Sequence, residues 1–436
     1  MNRRGIIIFA VVFISSFLMG QETYTISSYV QEVLEKDFQV AFMKNEVEIA
    51  ANENNIGAAG YLPRISLDAT RDISIISSAR QEFLGGQVNE IDDAQNRSFD
   101  AGALLEWTIF DGFKMFATDK KLNYLEETAQ LNLRAEVEMK AYEASVAFYT
   151  YLLLQQQRNI YQKAIDLSKA RLKYTENKRD NGAATRLELE QAKMDLTADS
   201  AIFMNNEYAL KKIVNQLNTL IAKPADAHIE IEGNLPEHIE RKSWENFQET
   251  AEANNTSLLL AKSNLAVRNY EKKEVLSRFY PQLGVYANYN FQTAQNEVGF
   301  LLNNRVAGPG FGVTLRWDIL DQLSRVQELK NARIREANAE LLQEQEELFI
   351  NAELKDAFEQ FNWAEKNVSF ELRNRVAAED IAGIAQRSFE AGTLTPIELR
   401  EIQFGIVEAE NRLLAAQLEY VTARLNLSLI TGEWEL

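Results

Sequence analysis

Trp107-Thr108-Ile109-Phe110-Asp111 returns 210 residues later as Trp317-Asp318-Ile319-Leu320-Asp321. The spacing recurs downstream. Asn181-Gly182-Ala183-Ala184-Thr185, followed by Leu187-Glu188, matches Ala391-Gly392-Thr393-Leu394-Thr395, followed by Ile397-Glu398, at the same offset. Upstream, Tyr61-Leu62-Pro63 lines up with Phe279-Tyr280-Pro281 at an offset of 218. Self-similarity at a fixed spacing over this much chain predicts one supersecondary unit written twice.

Each copy carries two strand-like stretches. In the second, Leu283, Val285, Ala287, Tyr289 and Phe291 alternate with small or polar residues, a period broken only by Tyr286. Phe311, Val313, Leu315, Trp317 and Ile319 then alternate without a break. Phe99, Ala101, Ala103, Leu105, Trp107 and Ile109 repeat the pattern in the first copy, and Ile65, Leu67 and Ala69 begin it. Period two marks strands with one apolar face, and about ten residues is what a tilted membrane strand needs. The polar stretches 78–98 and 292–310 read as external loops.

Long helices fill the rest. The six prolines leave 64–223 and 310–395 uninterrupted, so helices over 112–180 and 321–391 would each reach about 100 Å at 1.5 Å per residue. Asp111 and Asp321 stand where N-caps would open them, and Gly182 and Gly392 where each should end. In the returning helix over 396–431, Ile402, Ile406, Ala409, Leu413, Ala416, Tyr420, Ala423, Leu427 and Ile430 step by four and three, a coiled-coil seam. The same register in the returning helix over 185–221 is apolar except at Asp199 and Asn206. A further helix is expected before each strand pair, within 24–60 and 243–279. The organisation is therefore a first repeat over 21–221, with strands within 61–110, an inter-repeat linker over 222–242, and a second repeat over 243–436, with strands within 280–320.

Residues 1–20 read as a secretory signal: Arg3 and Arg4 precede an apolar run too short to span a bilayer. With 46 basic and 64 acidic residues the net charge is −18, or −20 without those two arginines, which argues against nucleic acid as a partner. With no cysteine there is no disulfide, no thiolate metal site and no acceptor for N-terminal lipidation. No later segment is apolar enough for a helical span, so only a β-barrel could cross a membrane.

Chemistry is absent from the pattern. His228 and His238 lie in the acidic linker at no metal-ligand spacing, and the carboxylate clusters Asp92-Asp93 and Glu344, Glu346, Glu347 read as solvated faces. No phosphate loop or catalytic triad is recognisable. The chain is not expected to be an enzyme or to hold a cofactor. Trp107 and Trp317, against the alternative of a ligand platform, read with Tyr61, Phe279 and Tyr280 as the aromatic belt of a barrel.

Four strands cannot close a barrel, so copies must assemble, and three would supply twelve. The order helix, two strands, long helix, Gly turn, returning helix, linker, and the same again resembles the TolC-like outer-membrane efflux protein family over the whole mature chain. The residues that carry the resemblance are Tyr61-Leu62-Pro63, Phe279-Tyr280-Pro281, the two Trp-to-Asp junctions and the turns at Gly182 and Gly392. It implies a mixed α and β fold: an outer-membrane β-barrel continued by a helical coiled-coil barrel in a homotrimer. It also implies outer-membrane lipid, a periplasmic adaptor (membrane fusion) protein and an inner-membrane transporter as partners, in an efflux or type I secretion system of a Gram-negative cell. By the same resemblance Gly182, Ala183, Gly392, Thr393, Leu394 and Thr395 are adaptor-docking tips, and Glu398 and Glu401 ring the inner mouth as a gate. The competing reading is a periplasmic coiled-coil adaptor or scaffold without a pore.

Overall fold

The computed structural model describes residues 23–238, 243–298 and 301–434; the expected export signal lies outside the described residues. In chain order the elements are β1 (Thr23–Tyr24), α1 (Ile26–Lys36), α2 (Phe38–Glu53), β2 (Arg64–Glu82), β3 (Val88–Phe110), α3 (Lys114–Asp180) and α4 (Arg186–Leu220). They continue as β4 (Glu230–Ile231), α5 (Trp244–Asn254), α6 (Thr256–Ser277), β5 (Gln282–Asn296), β6 (Asn303–Arg316), α7 (Ser324–Glu390) and α8 (Pro396–Thr431). Helices α3 and α7 are both 67 residues long and start 210 residues apart; α4 and α8 start at that same interval.

The chain forms two compact units. Of the described residues, one comprises those up to Val40, those within Val137–Gln248 and those from Leu354 on; the other comprises those within Ala41–Glu136 and Glu249–Glu353. In the first, α1, α3, α4 and the linker close a core on Tyr29, Val33, Phe148, Leu152, Leu217 and Ile231. The linker is no free tether: β4 pairs in parallel with β1, and Gly233 lets the chain lie against Leu152 and Phe148.

The coiled-coil seams follow the heptads. On α8, seven of the nine seam residues, from Ala409 to Ile430, are buried. On α7, Leu354, Ala357, Phe361, Ala364 and Val368 are buried at steps of three and four, and Phe361 stacks on Tyr420 with centroids 5.2 Å apart. Pairs between α3 and α4 run in opposite directions, Arg158 with Glu207, Ser168 with Asp199 and Arg171 with Asp195, as an antiparallel hairpin requires.

In the second unit β2, β3, β5 and β6 form one antiparallel sheet in that order. The strands are longer than the alternation predicts. β2 and β3 stay paired out to Glu82 and Val88, so most of the expected loop 78–98 is hairpin. Likewise 292–296 and 303–310 of the other expected loop are strand. Backbone pairing needs no apolar face; the alternation reports only where one face meets an apolar surrounding. In the opposite sense, β6 ends at Arg316, leaving Trp317 and Ile319 outside the strand that their alternation extends.

The single helix expected ahead of each strand pair is two. Asp37 interrupts the first, accepting hydrogen bonds from Gln39 and Val40 N–H. Asn255, 218 residues on, interrupts the second and accepts from Leu258 N–H. A short side-chain acceptor caps a new helix at each break, and the interval is that of the Pro63–Pro281 match.

Candidate functional site

The sheet's register collects the alternating apolar residues of four strands on one face. Ile65, Leu105, Ala287 and Phe311 stand in one cross-strand row, and Leu67, Ala103 and Tyr289 in another. This face is bare: Leu67 is 81% and Phe311 87% exposed. The other face carries Asp68, Asp100, Glu106, Asn288, Asn290 and Gln292 among glycines. Tyr286, the residue that breaks the alternation, belongs to this polar face. A Cβ placed on Gly312 would stand 2.6 Å from its hydroxyl, so the ring lies over a glycine directly opposite. Outer strands β2 and β6 each pair on one side only.

The expected belt residues gather at one end of this sheet. Trp107 donates its indole N–H to the Tyr61 carbonyl at 2.9 Å, and Trp317 donates to the Phe279 carbonyl at 3.2 Å. Each tryptophan thus ties its strand to the aromatic that opens the pair, in both copies alike. Tyr280 meets Phe113 edge-on, and Tyr61 meets Phe116. Phe113 and Phe116, missed by the sequence analysis, follow Phe110 at steps of three and join the cluster with it.

Strand passes to helix through two successive left-handed residues, Gly112 and Phe113 in one copy and Gln322 and Leu323 in the other. Asp111 and Asp321 therefore cap from farther back than an adjacent N-cap: their carboxylates accept from Met115 N–H and Arg325 N–H. Gly112 also lies against the Ser277 carbonyl, 2.2 Å from where a Cβ would sit.

At the far ends of α3 and α7, Gly182 and Gly392 take φ of 74° and 75°. In each turn the glycine N–H returns to the residue three back and the next N–H to the residue five back, the Schellman closure that a left-handed residue allows. Ala183, Thr393 and Thr395 are exposed and Leu394 half-buried. Two capping boxes follow, unnoticed in the sequence although the Thr-x-x-Glu pattern is written there. Thr395 N–H and hydroxyl donate to Glu398 at 2.8 and 2.7 Å, and Thr185 does the same for Glu188. These bonds, backbone first, hold both carboxyls below the usual carboxylate range. Glu401 is exposed one turn on.

Behind the tips lies a charge cluster whose only trace in the sequence is two polar breaks in a heptad. Asp199 is buried in the seam, hydrogen-bonded to Ser168 and held by Arg400 of α8. Asn206, the other break, is buried too. Arg171, pulled down from its ordinary pKa by burial, pairs with Asp195 at 2.8 Å. Among the described residues there is no group of histidines and carboxylates suited to a metal ion, and no helix is long and apolar enough to cross a membrane. His228 and His238 are both exposed.

A family model described as outer membrane efflux protein matches residues 29–223 and 248–433. No curated protein sequence matches the chain. Among solved structures, the outer-membrane channel OprN superposes with a TM-score of 0.78 at 16% identity, over 94% of this chain and 90% of that one. The outer membrane protein VceC of Vibrio cholerae gives 0.76 at 14% identity over 93% and 96%. The CmeC outer membrane channel of Campylobacter jejuni gives 0.75 at 14% identity over 99% and 94%. At these identities the likeness is one of fold.

Proposed function

This chain belongs to the outer membrane efflux protein family, and from that membership we propose that it is the exit duct of a tripartite efflux or type I secretion assembly. Three copies close a twelve-stranded barrel in the outer membrane of a Gram-negative cell, with the coiled-coil hairpins continuing the lumen through the periplasm. The family is one of transport proteins, and the chain is not an enzyme.

The observation that carries the reading is the sheet. It has one bare apolar face, one polar face and two outer strands each paired on a single side. In hydrocarbon each unpaired backbone group of a bare edge costs several kcal/mol, which closure by neighbouring copies removes. Apolar residues then face lipid, and Asp68, Asp100, Glu106 and Tyr286 face the lumen, the arrangement of a water-filled barrel. A soluble scaffold with the same hairpins would have to cover that face by other means.

The tips support the remaining roles. The turns with exposed Gly182, Ala183, Gly392, Thr393 and Thr395 and half-buried Leu394 are the docking surface for the adaptor, which brings the inner-membrane transporter to the duct. Glu398 and Glu401 from three chains gather six carboxylates at the inner mouth. A cleaved signal delivers the chain, and without cysteine the barrel alone holds it in the membrane. The test is purification from membranes in mild detergent followed by planar-bilayer recording. A trimer that conducts is expected; a water-soluble chain, or a monomer that conducts, overturns the reading.

A further inference from the structure

Charge is inverted where the helices leave the sheet. Residues 54–64, 110–121, 268–282 and 316–336 hold thirteen Lys and Arg against eight Asp and Glu, in a chain with 46 against 64. Most of those acids are engaged. Glu274 binds Lys121, Glu328 binds Arg278, Glu336 binds Lys272 and Glu271 binds Arg268. Asp111 and Asp321 cap helices, which leaves Asp119 and Asp318. The eight cations outside these ion pairs are Lys114, Lys120, Lys273 and Lys330 on the helices, Arg64 and Arg316 at strand ends, and Arg333 and Arg335 farther along α7. All are exposed; Lys273 lies over the Tyr270 ring and adds its field to that of Lys272 at Glu336.

The four lysines share one depth. Lys114 is the first residue of α3 and Lys120 the seventh, Lys330 the seventh of α7, and Lys273 the fifth from the end of α6. At 1.5 Å per residue each lies within about 9 Å of the strand-side end of its helix, about one Debye length at physiological salt. Close to them are apolar residues that stay more than half exposed: Leu62, Phe113, Phe116, Ile319, Leu320 and Leu323. Apolar side chains at the membrane boundary followed by a shell of cations is the pattern of an interfacial anchor that reads anionic lipid.

We propose that this collar binds the phosphates of anionic phospholipids in the leaflet on the helical side of the membrane, fixing the height of the barrel in the bilayer. The proposal rests on the barrel reading above. Near an anionic surface each basic side chain strengthens binding by roughly fivefold, so four per chain and twelve per trimer favour anionic over zwitterionic lipid even after screening.

The test reconstitutes the full trimer into vesicles of phosphatidylcholine alone and of phosphatidylcholine mixed with phosphatidylglycerol, re-extracts it gently, and measures the lipid that stays bound. Several-fold enrichment of phosphatidylglycerol over the bulk ratio is expected. Lys114→Gln, Lys120→Gln, Lys273→Gln and Lys330→Gln together should bring the bound ratio to the bulk value while the trimer keeps its melting temperature and its conductance. As a control, Lys169→Gln, Lys173→Gln, Lys193→Gln and Lys211→Gln remove as many exposed lysines from the other unit and should leave the enrichment intact. Equal enrichment with and without the collar lysines, no enrichment in the wild-type protein, or an equal loss from the control set would overturn the proposal while leaving the pore intact. Absence of conductance in both vesicle types would instead overturn the barrel reading and the collar with it.

Discussion

Arg400 on α8 holds both carboxylate oxygens of Asp199 on α4, at 2.6 and 2.9 Å, and the repeat gives this pair no counterpart. The positions 210 residues away are Glu190, which pairs only with Lys193 on its own helix, and Ala409, which is buried. Ser168 and Arg171 are matched by Ala378 and Ile381. Where the first seam buries the charge of Asp199, the second therefore buries the methyl group of Ala409. Packing does not require the ion pair, and what it adds is a directed link from α8 to the first hairpin.

Removing one partner strands the other. Asp199→Ala should destabilise the protein by about 2–4 kcal/mol, the loss being moderated because Arg400 is partly exposed. Asp199→Ala combined with Arg400→Leu, which leaves neither charge without its partner, should recover much of that. Chemical denaturation of the four proteins in a double-mutant cycle checks this; additive losses would show that the two side chains do not act together.

The carboxylates beyond the α7–α8 turn make a prediction about ions. Glu398 is fixed by Thr395, whose backbone and hydroxyl bonds lower its pKa, and Glu401 is exposed one turn on. Glu398→Gln with Glu401→Gln should lower the cation-to-anion permeability ratio by about threefold and weaken block by divalent cations, because six negative charges leave the mouth. Single-channel recordings with unchanged selectivity and unchanged block would remove the gate from these residues.

Two kinds of left-handed glycine should respond differently to one methyl group. At Gly392 the space around the missing Cβ is empty, so Gly392→Ala carries only the backbone penalty, about 1 kcal/mol. At Gly112 the same penalty is joined by collision with the Ser277 carbonyl, and Gly112→Ala should cost about 2–4 kcal/mol. Comparable melting temperatures for the two variants would contradict the close approach of α6 to this turn.

The capping boxes make the tips sensitive to acid. The carboxyls of Glu188 and Glu398 titrate lower in the folded chain than when unfolded, through their bonds to Thr185 and Thr395. Their stabilisation is complete above the ordinary carboxylate range and disappears as pH falls through the depressed folded values. Amide exchange in the first turns of α4 and α8, taken relative to its intrinsic rate at each pH, should therefore accelerate only from that range downward, and more gently in Glu188→Gln and Glu398→Gln. Acceleration beginning near neutral pH would point to another group.

What repeats and what alternates is written in the order of residues. The 210-residue interval, the strand faces, the helix ends at Gly182 and Gly392 and the seam from Ala409 to Ile430 are all legible, because periodic burial imprints its period on residue choice and a left-handed turn selects glycine. Family membership followed from the doubled order of these elements. Tertiary structure alone decided the rest. The hairpin out to Glu82 and Val88 is made by backbone hydrogen bonds, which leave little trace in side-chain polarity. Tyr286 looked like an error in a strand until Gly312 stood opposite it. Asp199 looked like a flaw in a heptad until Arg400, 201 residues away, supplied its charge. Pairings of this kind depend on which distant segments the fold brings together, and a local pattern holds no record of its partner.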